Sequence, residues 1–177
     1  MELEQLKYPI GRFVAPDKVD DEQIQEWIGE LAGFPQRFRE TVSGLNGEQL
    51  DTPYRPGGWT LRQVVHHVPD SHMNAYIRFK LAVTENEPEI RPYHEELWAE
   101  TGEAKSGAVG MSLDLLESLH VRWVAFLRTL TPDQFSRTFF HPASQKLYRL
   151  DEVLALYIWH GNHHLGHLTQ TIRERNW

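Results

Sequence analysis

The stretch DEVLALYIWHGNHHLGHLTQTIR, residues 151–173, reads as one long helix capped by Asp151, and it carries four of the chain's ten histidines. At 100° per residue and with His160 at zero, His164 falls at about 40°, His167 at about 340° and His163 at about 300°, so all four share an arc of about 100°. Val153, Tyr157 and Leu168 flank the line through His160 and His164, which sets that pair on the stripe facing the core. His163 and His167 align instead with Gln170 and Glu174, on the more polar side. An i, i+4 pair holds two imidazoles one turn apart, close enough to share an ion. A histidine-rich helix shows the same spacing when its rings are merely solvated or bonded to neighbours. The helix alone leaves both readings open.

Three further helices can be read outward from it. Residues 20–44 open with acids and place Ile24, Trp27, Ile28, Leu31, Phe34 and Phe38 at helical spacing, with Pro35 expected to bend or interrupt the run. A second helix starts at Thr60, where Gln63 completes a capping-box pattern. A third carries Leu113, Leu116, Leu119, Trp123, Phe126, Leu127 and Leu130 in register, after which Thr131 and Pro132 restart the chain as cap and first helical residue. Residues 85–110 form a long loop with one short helical turn in RPYHEELW, and loops of that length are often functional. SRTFFHPASQKLYRL suggests a small hairpin turning at residues 142–145. The expected fold is all-α, an antiparallel four-helix bundle with long loops and a small hairpin before the last helix.

With 177 residues and 40% hydrophobic content, residues 1–177 are expected to form one domain, preceded over residues 1–18 by an extended arm carrying Pro9, Gly11 and Pro16. A formal charge of -7 with scattered basic residues argues against nucleic acid as a partner. No apolar run is long enough for a membrane span and no basic-then-apolar leader opens the chain, so a cytoplasmic protein acting on a small molecule is expected. Cysteine is absent, which removes disulfides, thiolate ligands and a cysteine nucleophile together. Any metal must be held by His, Asp or Glu.

A metal needs a third ligand, and VVHHVPDSH on the second helix offers His66, His67 and His72. On a regular wheel His67 borders the apolar set, His66 points away from it, and His72 lies about 140° from His67, too far round to face the same site. Pro69 frees the Val65 carbonyl and complicates that geometry. Asp70 and Asn74 lie on the His67 side, and Arg62 and Arg78 are candidates for binding a carboxylate. Ordinary surface roles explain all four as well. Ser71 between Asp70 and His72 is not a hydrolase triad, because consecutive helical residues diverge and no G-x-S-x-G elbow is present.

Together, GGWTLRQVVHHVPDSH and WHGNHHLGHL resemble the DinB/YfiT-like superfamily, in particular its YfiT branch, and the resemblance runs from YPIG to RNW. It implies a four-helix bundle, a homodimer, and one divalent metal on three histidines: one following a Trp by eight residues and two spaced by four on the last long helix. In this sequence those are His67, His160 and His164. Zinc is the first expectation, with nickel, manganese or iron also suited to imidazole ligands. Three neutral imidazoles leave a coordination position open, as catalytic sites do. The branch comprises metal-dependent hydrolases and is similar to bacillithiol S-transferases. The resemblance therefore implies transfer of a low-molecular-weight thiol, with hydrolysis by activated water as the alternative. From a different class comes a non-catalytic metal-binding bundle.

Overall fold

The computed structural model describes residues 3–177. The four long helices are α2 (Asp21–Ser43), α4 (Leu61–Thr84), α7 (Val109–Leu127) and α9 (Leu150–Arg175), with short helices α1 (Leu3–Lys7), α3 (Gly47–Leu50), α5 (Glu95–Trp98), α6 (Gly102–Ser106) and α8 (Pro132–Phe135) between or before them. A two-stranded antiparallel hairpin, β1 (Thr138–His141) and β2 (Lys146–Arg149), turns through residues 142–145 and sets Phe139 opposite Tyr148. The sequence-level boundaries hold where a cap marks them. Asp20 accepts from the Gln23 amide at 2.8 Å, and Thr60 and Thr131 each close a full capping box.

The helices pack as a four-helix bundle in the cyclic order α2, α7, α4, α9, so α2 and α4, consecutive among the long helices, lie on a diagonal. Two core clusters reveal the polarity. One joins the first half of α2 (Ile24, Ile28, Leu31) to the second halves of α4 (Ala75, Phe79, Ala82) and α7 (Trp123, Leu127) and to the start of α9 (Leu150, Val153, Leu154). The other joins Phe34, Phe38 and Val42 to Leu61, Val65, Val68, Leu113, Leu116 and Leu168. Thus α2 and α9 run one way and α4 and α7 the other, two parallel pairs set antiparallel.

That polarity explains the length of the 85–108 connection. To start α7 beside the start of α4, the chain must travel back along a 24-residue helix, about 36 Å at 1.5 Å per residue. This takes at least about 11 extended residues. On the way it forms α5 and α6 against α4, and Glu89 bridges Phe140 of the hairpin.

Each helix lays a stripe of buried residues on the axis: Leu61, Val65, Val68, His72, Ala75, Phe79 and Ala82 on α4, and Leu113, Leu116, His120, Trp123 and Leu127 on α7. Two histidines therefore occupy apolar positions at mid-bundle, between the two core clusters. Phe34 lies within 5.7 Å, ring to ring, of both. Gly161 provides room for Phe34, since a Cβ there would meet its ring at 3.0 Å.

Several expectations need correction. The segment before residue 18 is not extended throughout, because Leu3–Lys7 forms α1; Met1 and Glu2 lie outside the described residues. Neither Pro35 nor Pro69 interrupts its helix. The N-cap of α9 is Arg149; Asp151 sits one turn position inside, buried, paired with the Arg149 guanidinium and accepting from the Glu152 amide at 2.8 Å.

Candidate metal centre

His67 comes from α4, and His160 and His164 from successive turns of α9, which packs against α4. One ring nitrogen from each lies within 4.8 Å of the others. The Nε2 atoms of His67 and His160 are 3.3 Å apart. That is about the edge of a tetrahedron around an ion with metal–nitrogen bonds of about 2.0–2.1 Å, so the donor set fits a divalent cation. Burial, then the charge of neighbouring rings, holds His160 and His164 well below the ordinary imidazole range, and burial followed by His163 lowers His67 to about 4. At neutral pH the three rings are uncharged, with lone pairs to offer.

The three rings form the floor of a cleft of about 520 Å³. Its wall is built by the turn YRPGGW, in which the Tyr54 amide bonds the Trp59 carbonyl at 3.1 Å and Gly57 supplies φ +67°, a left-handed conformation that a side chain would strain. The turn places Trp59 against His67 at 4.8 Å between ring centroids and Tyr54 against His167 at 4.0 Å. Lys7 and Tyr8 of the N-terminal arm close another side, and Trp159 stacks on His163 at 4.5 Å. Glu95, delivered by the long crossover, is among the described residues the one carboxylate lining the cleft, and Lys7 and Arg55 are its cations.

The other histidines depart from the wheel. His66 is buried, not outward-facing, because the crossover covers it: its Nε2 donates to the Gly107 carbonyl at 3.3 Å and its Nδ1 accepts from the Ser112 hydroxyl at 2.7 Å. His72 does reach the same site, through His160, with its Nε2 3.2 Å from His160 Nδ1. His163 and His167 are also buried, because the N-terminal arm lies over that side of α9, and with His164 they form a second close group. His120, whose Nε2 is 2.8 Å from His72 Nδ1, was missed; its signal was a polar residue in the apolar stripe of α7.

The remaining candidates stand off the cleft. Arg62 is held by Asp51 at 2.6 Å and by the Gly107 carbonyl, and Arg78 does not line the cavity. Asn74 donates to the Asp70 carbonyl, and burial followed by Glu103 raises the Asp70 carboxyl to about 6, away from the cavity wall.

A family model described as the DinB superfamily matches residues 30–168, most of the chain and all three clustered histidines. The chain belongs to the DinB superfamily. This DinB protein is 48% identical to YfiT of Bacillus subtilis (strain 168) over 97% of either chain, and that relative is provisionally named a metal-dependent hydrolase. A similarly named protein of Bacillus mycoides (strain KBAB4) is 50% identical over 99% of this chain and 100% of its own. The solved structure of YfiT, noted for an unusual four-helix bundle topology, superposes with a TM-score of 0.96 over 98% of this chain and 99% of that one. Among the described residues, no helix is long and apolar enough to cross a membrane.

Proposed function

We propose that His67, His160 and His164 hold one divalent metal, zinc first, and that the cleft above them joins a low-molecular-weight thiol to an electrophilic carbon of a small substrate. The observation that carries this reading is the convergence of three neutral imidazoles, two of them 3.3 Å apart at Nε2, on the floor of an open cleft. A divalent ion bound there supplies Lewis acidity and a strong oxygen or sulfur nucleophile at neutral pH. The thiol loses its proton, the carbon–sulfur bond forms and the leaving group departs with its electron pair. Glu95, the one acid among the described residues that line the cleft, accepts the released proton, and Trp59, Tyr54 and Trp159 supply aromatic walls against which a small substrate can pack.

The resemblance to thiol transferases and the absence of cysteine support this reading, because any sulfur nucleophile must then come from a small thiol. The names of the relatives support hydrolysis as the second reading. A cytoplasmic homodimer, which the resemblance carries, completes the proposal, and light scattering on eluted protein checks the dimer. The deciding experiment is metal analysis of untagged protein beside His67→Ala, His160→Ala and His164→Ala, followed by turnover assays with thiol present or omitted. We expect one metal per chain in wild type, its loss in each variant, and turnover of electrophiles only with thiol. Ester or amide turnover without thiol favours the hydrolase. A chain that takes up no metal overturns both.

A further inference from the structure

Seven histidines converge on this region, four more than the proposed ligands, and the hydrogen bonds of five of them form two ordered chains. The first begins at the Leu31 carbonyl of α2. His120 Nδ1 is 2.8 Å from that oxygen, His120 Nε2 is 2.8 Å from His72 Nδ1, and His72 Nε2 is 3.2 Å from His160 Nδ1. The second begins at the Lys7 carbonyl, 3.1 Å from His167 Nε2, and continues from His167 Nδ1 to His164 Nδ1 at 3.4 Å.

A carbonyl only accepts, and a neutral imidazole carries one N–H, so each anchor fixes every proton beyond it. Leu31 forces the proton of His120 onto Nδ1, which leaves its Nε2 to accept from His72 Nδ1–H. His72 Nε2 must then accept from His160 Nδ1–H, and the lone pair of His160 is left on Nε2, the atom facing His67. Lys7 likewise forces His167 to Nε2–H, so its Nδ1 accepts from His164 Nδ1–H and the lone pair of His164 is on Nε2. Each N···N contact needs one N–H and one lone pair, as rings carrying a single proton provide. Burial favours the uncharged form in all five: it lowers His120 to about 4, His167 to about 3, and His72, His160 and His164 well below the ordinary imidazole range.

Both anchors are carbonyls that their helices leave unused. Residue 35 would normally donate to Leu31, but it is proline and has no N–H. Lys7 ends α1, where the last carbonyls have no partner within the helix. Pro35 thus acquires a role beyond packing.

We propose that His72, His120 and His167 are positioning residues, forming two carbonyl-anchored relays that lock His160 and His164 as Nδ1–H tautomers with both Nε2 lone pairs aimed at one ion. This rests on the metal reading above, yet the proton positions can be tested without any metal. On metal-free protein with ¹⁵N-labelled histidine, two-bond ¹H–¹⁵N correlations assign the tautomer of each ring. Nδ1–H on His120, His72, His160 and His164 with Nε2–H on His167 is expected. Nε2–H on His72 or His160, or a mixture of tautomers, overturns the proposal.

Zinc affinity by chelator competition gives the second readout. His72→Phe removes the acceptor for His160 and is expected to weaken binding by about 10–100-fold, the usual effect of losing such a partner. His72→Gln, whose amide both accepts from His160 and donates to His120, is expected to stay nearer wild type. Equal affinity in His72→Phe and wild type refutes the first relay. Two zinc ions per chain refutes the second, because an ion on His163, His164 and His167 would occupy the nitrogens that the relay joins. A wild-type chain that binds no zinc defeats the metal reading instead, while the tautomers still judge the relays.

Discussion

Mild acid should destabilise the metal-free chain well before its ordinary carboxylates protonate. In the folded state burial lowers His67 and His120 to about 4, whereas in the unfolded chain both titrate near 6.5. Between those values the unfolded state binds more protons, so stability rises with pH and is lost as pH falls from 6.5 toward 4. At pH 5 each ring costs about 2 kcal/mol relative to pH 7.5, and the pair about 4 kcal/mol, against a total stability of about 5–15 kcal/mol. His72, His160 and His164, which burial also holds well below the ordinary imidazole range, act in the same direction. Asp70 opposes them, since its raised carboxyl gains protons on folding, but it is part-exposed and offsets only a fraction. Urea denaturation of chelator-treated protein followed by circular dichroism measures the sum. The midpoint should fall by about 1–2 M between pH 7.5 and pH 5 at a slope of about 2–3 kcal/mol/M. An unchanged midpoint over that range would refute the picture of a bundle centre filled with neutral, desolvated imidazoles.

Three other outcomes follow from particular residues. Gly161→Ala should lower the melting temperature, because Phe34, wedged against His72, His120 and Phe38, cannot retreat from the new methyl; overpacking of about 1–3 kcal/mol outweighs a helix-propensity gain of up to about 1 kcal/mol. A raised melting temperature would show that the ring yields. Leu154→Ala, at a fully buried position, should cost about 2–5 kcal/mol in chemical denaturation while metal content stays at wild-type level, and loss of metal without loss of stability would contradict the separation of core from site. Glu95→Gln should retain the metal and lower turnover most in the pH range where Glu95 is ionised while the thiol still carries its proton, and least at low pH, where the wild-type carboxyl is itself protonated; full activity across the pH range would remove Glu95 from the mechanism.

The ends of α2, the start of α4 and the hairpin were legible in the sequence because local chemistry marks them: Asp20, Thr60 with Gln63, and the turn residues 142–145. The His67, His160 and His164 grouping was legible through helical spacing and the family resemblance. Helix polarity was not, since the hydrophobic period of α7 is the same whichever way it runs; only the long crossover hints at it. The burial of His66 depended on that crossover folding over α4, a tertiary event with no local signature. A wheel angle measured from His67 alone puts His72 off the site, although 61, 65, 68, 72, 75, 79 and 82 form an unbroken heptad stripe that runs through it. The five residues of α1 are too short to show a period.

The distance along the chain between the helices that carry the site has a mechanical consequence. His67 and His160 are 93 positions apart, yet their rings meet. An ion shared by them ties a loop that includes the crossover, all of α7 and the hairpin, and so acts as a removable cross-link that restricts the unfolded ensemble as a covalent tie of that span would. Under tension applied at the termini, the loaded protein should lengthen in two events, first the segments outside the tie and then the loop when the ion lets go. The stripped protein should extend without that second rupture.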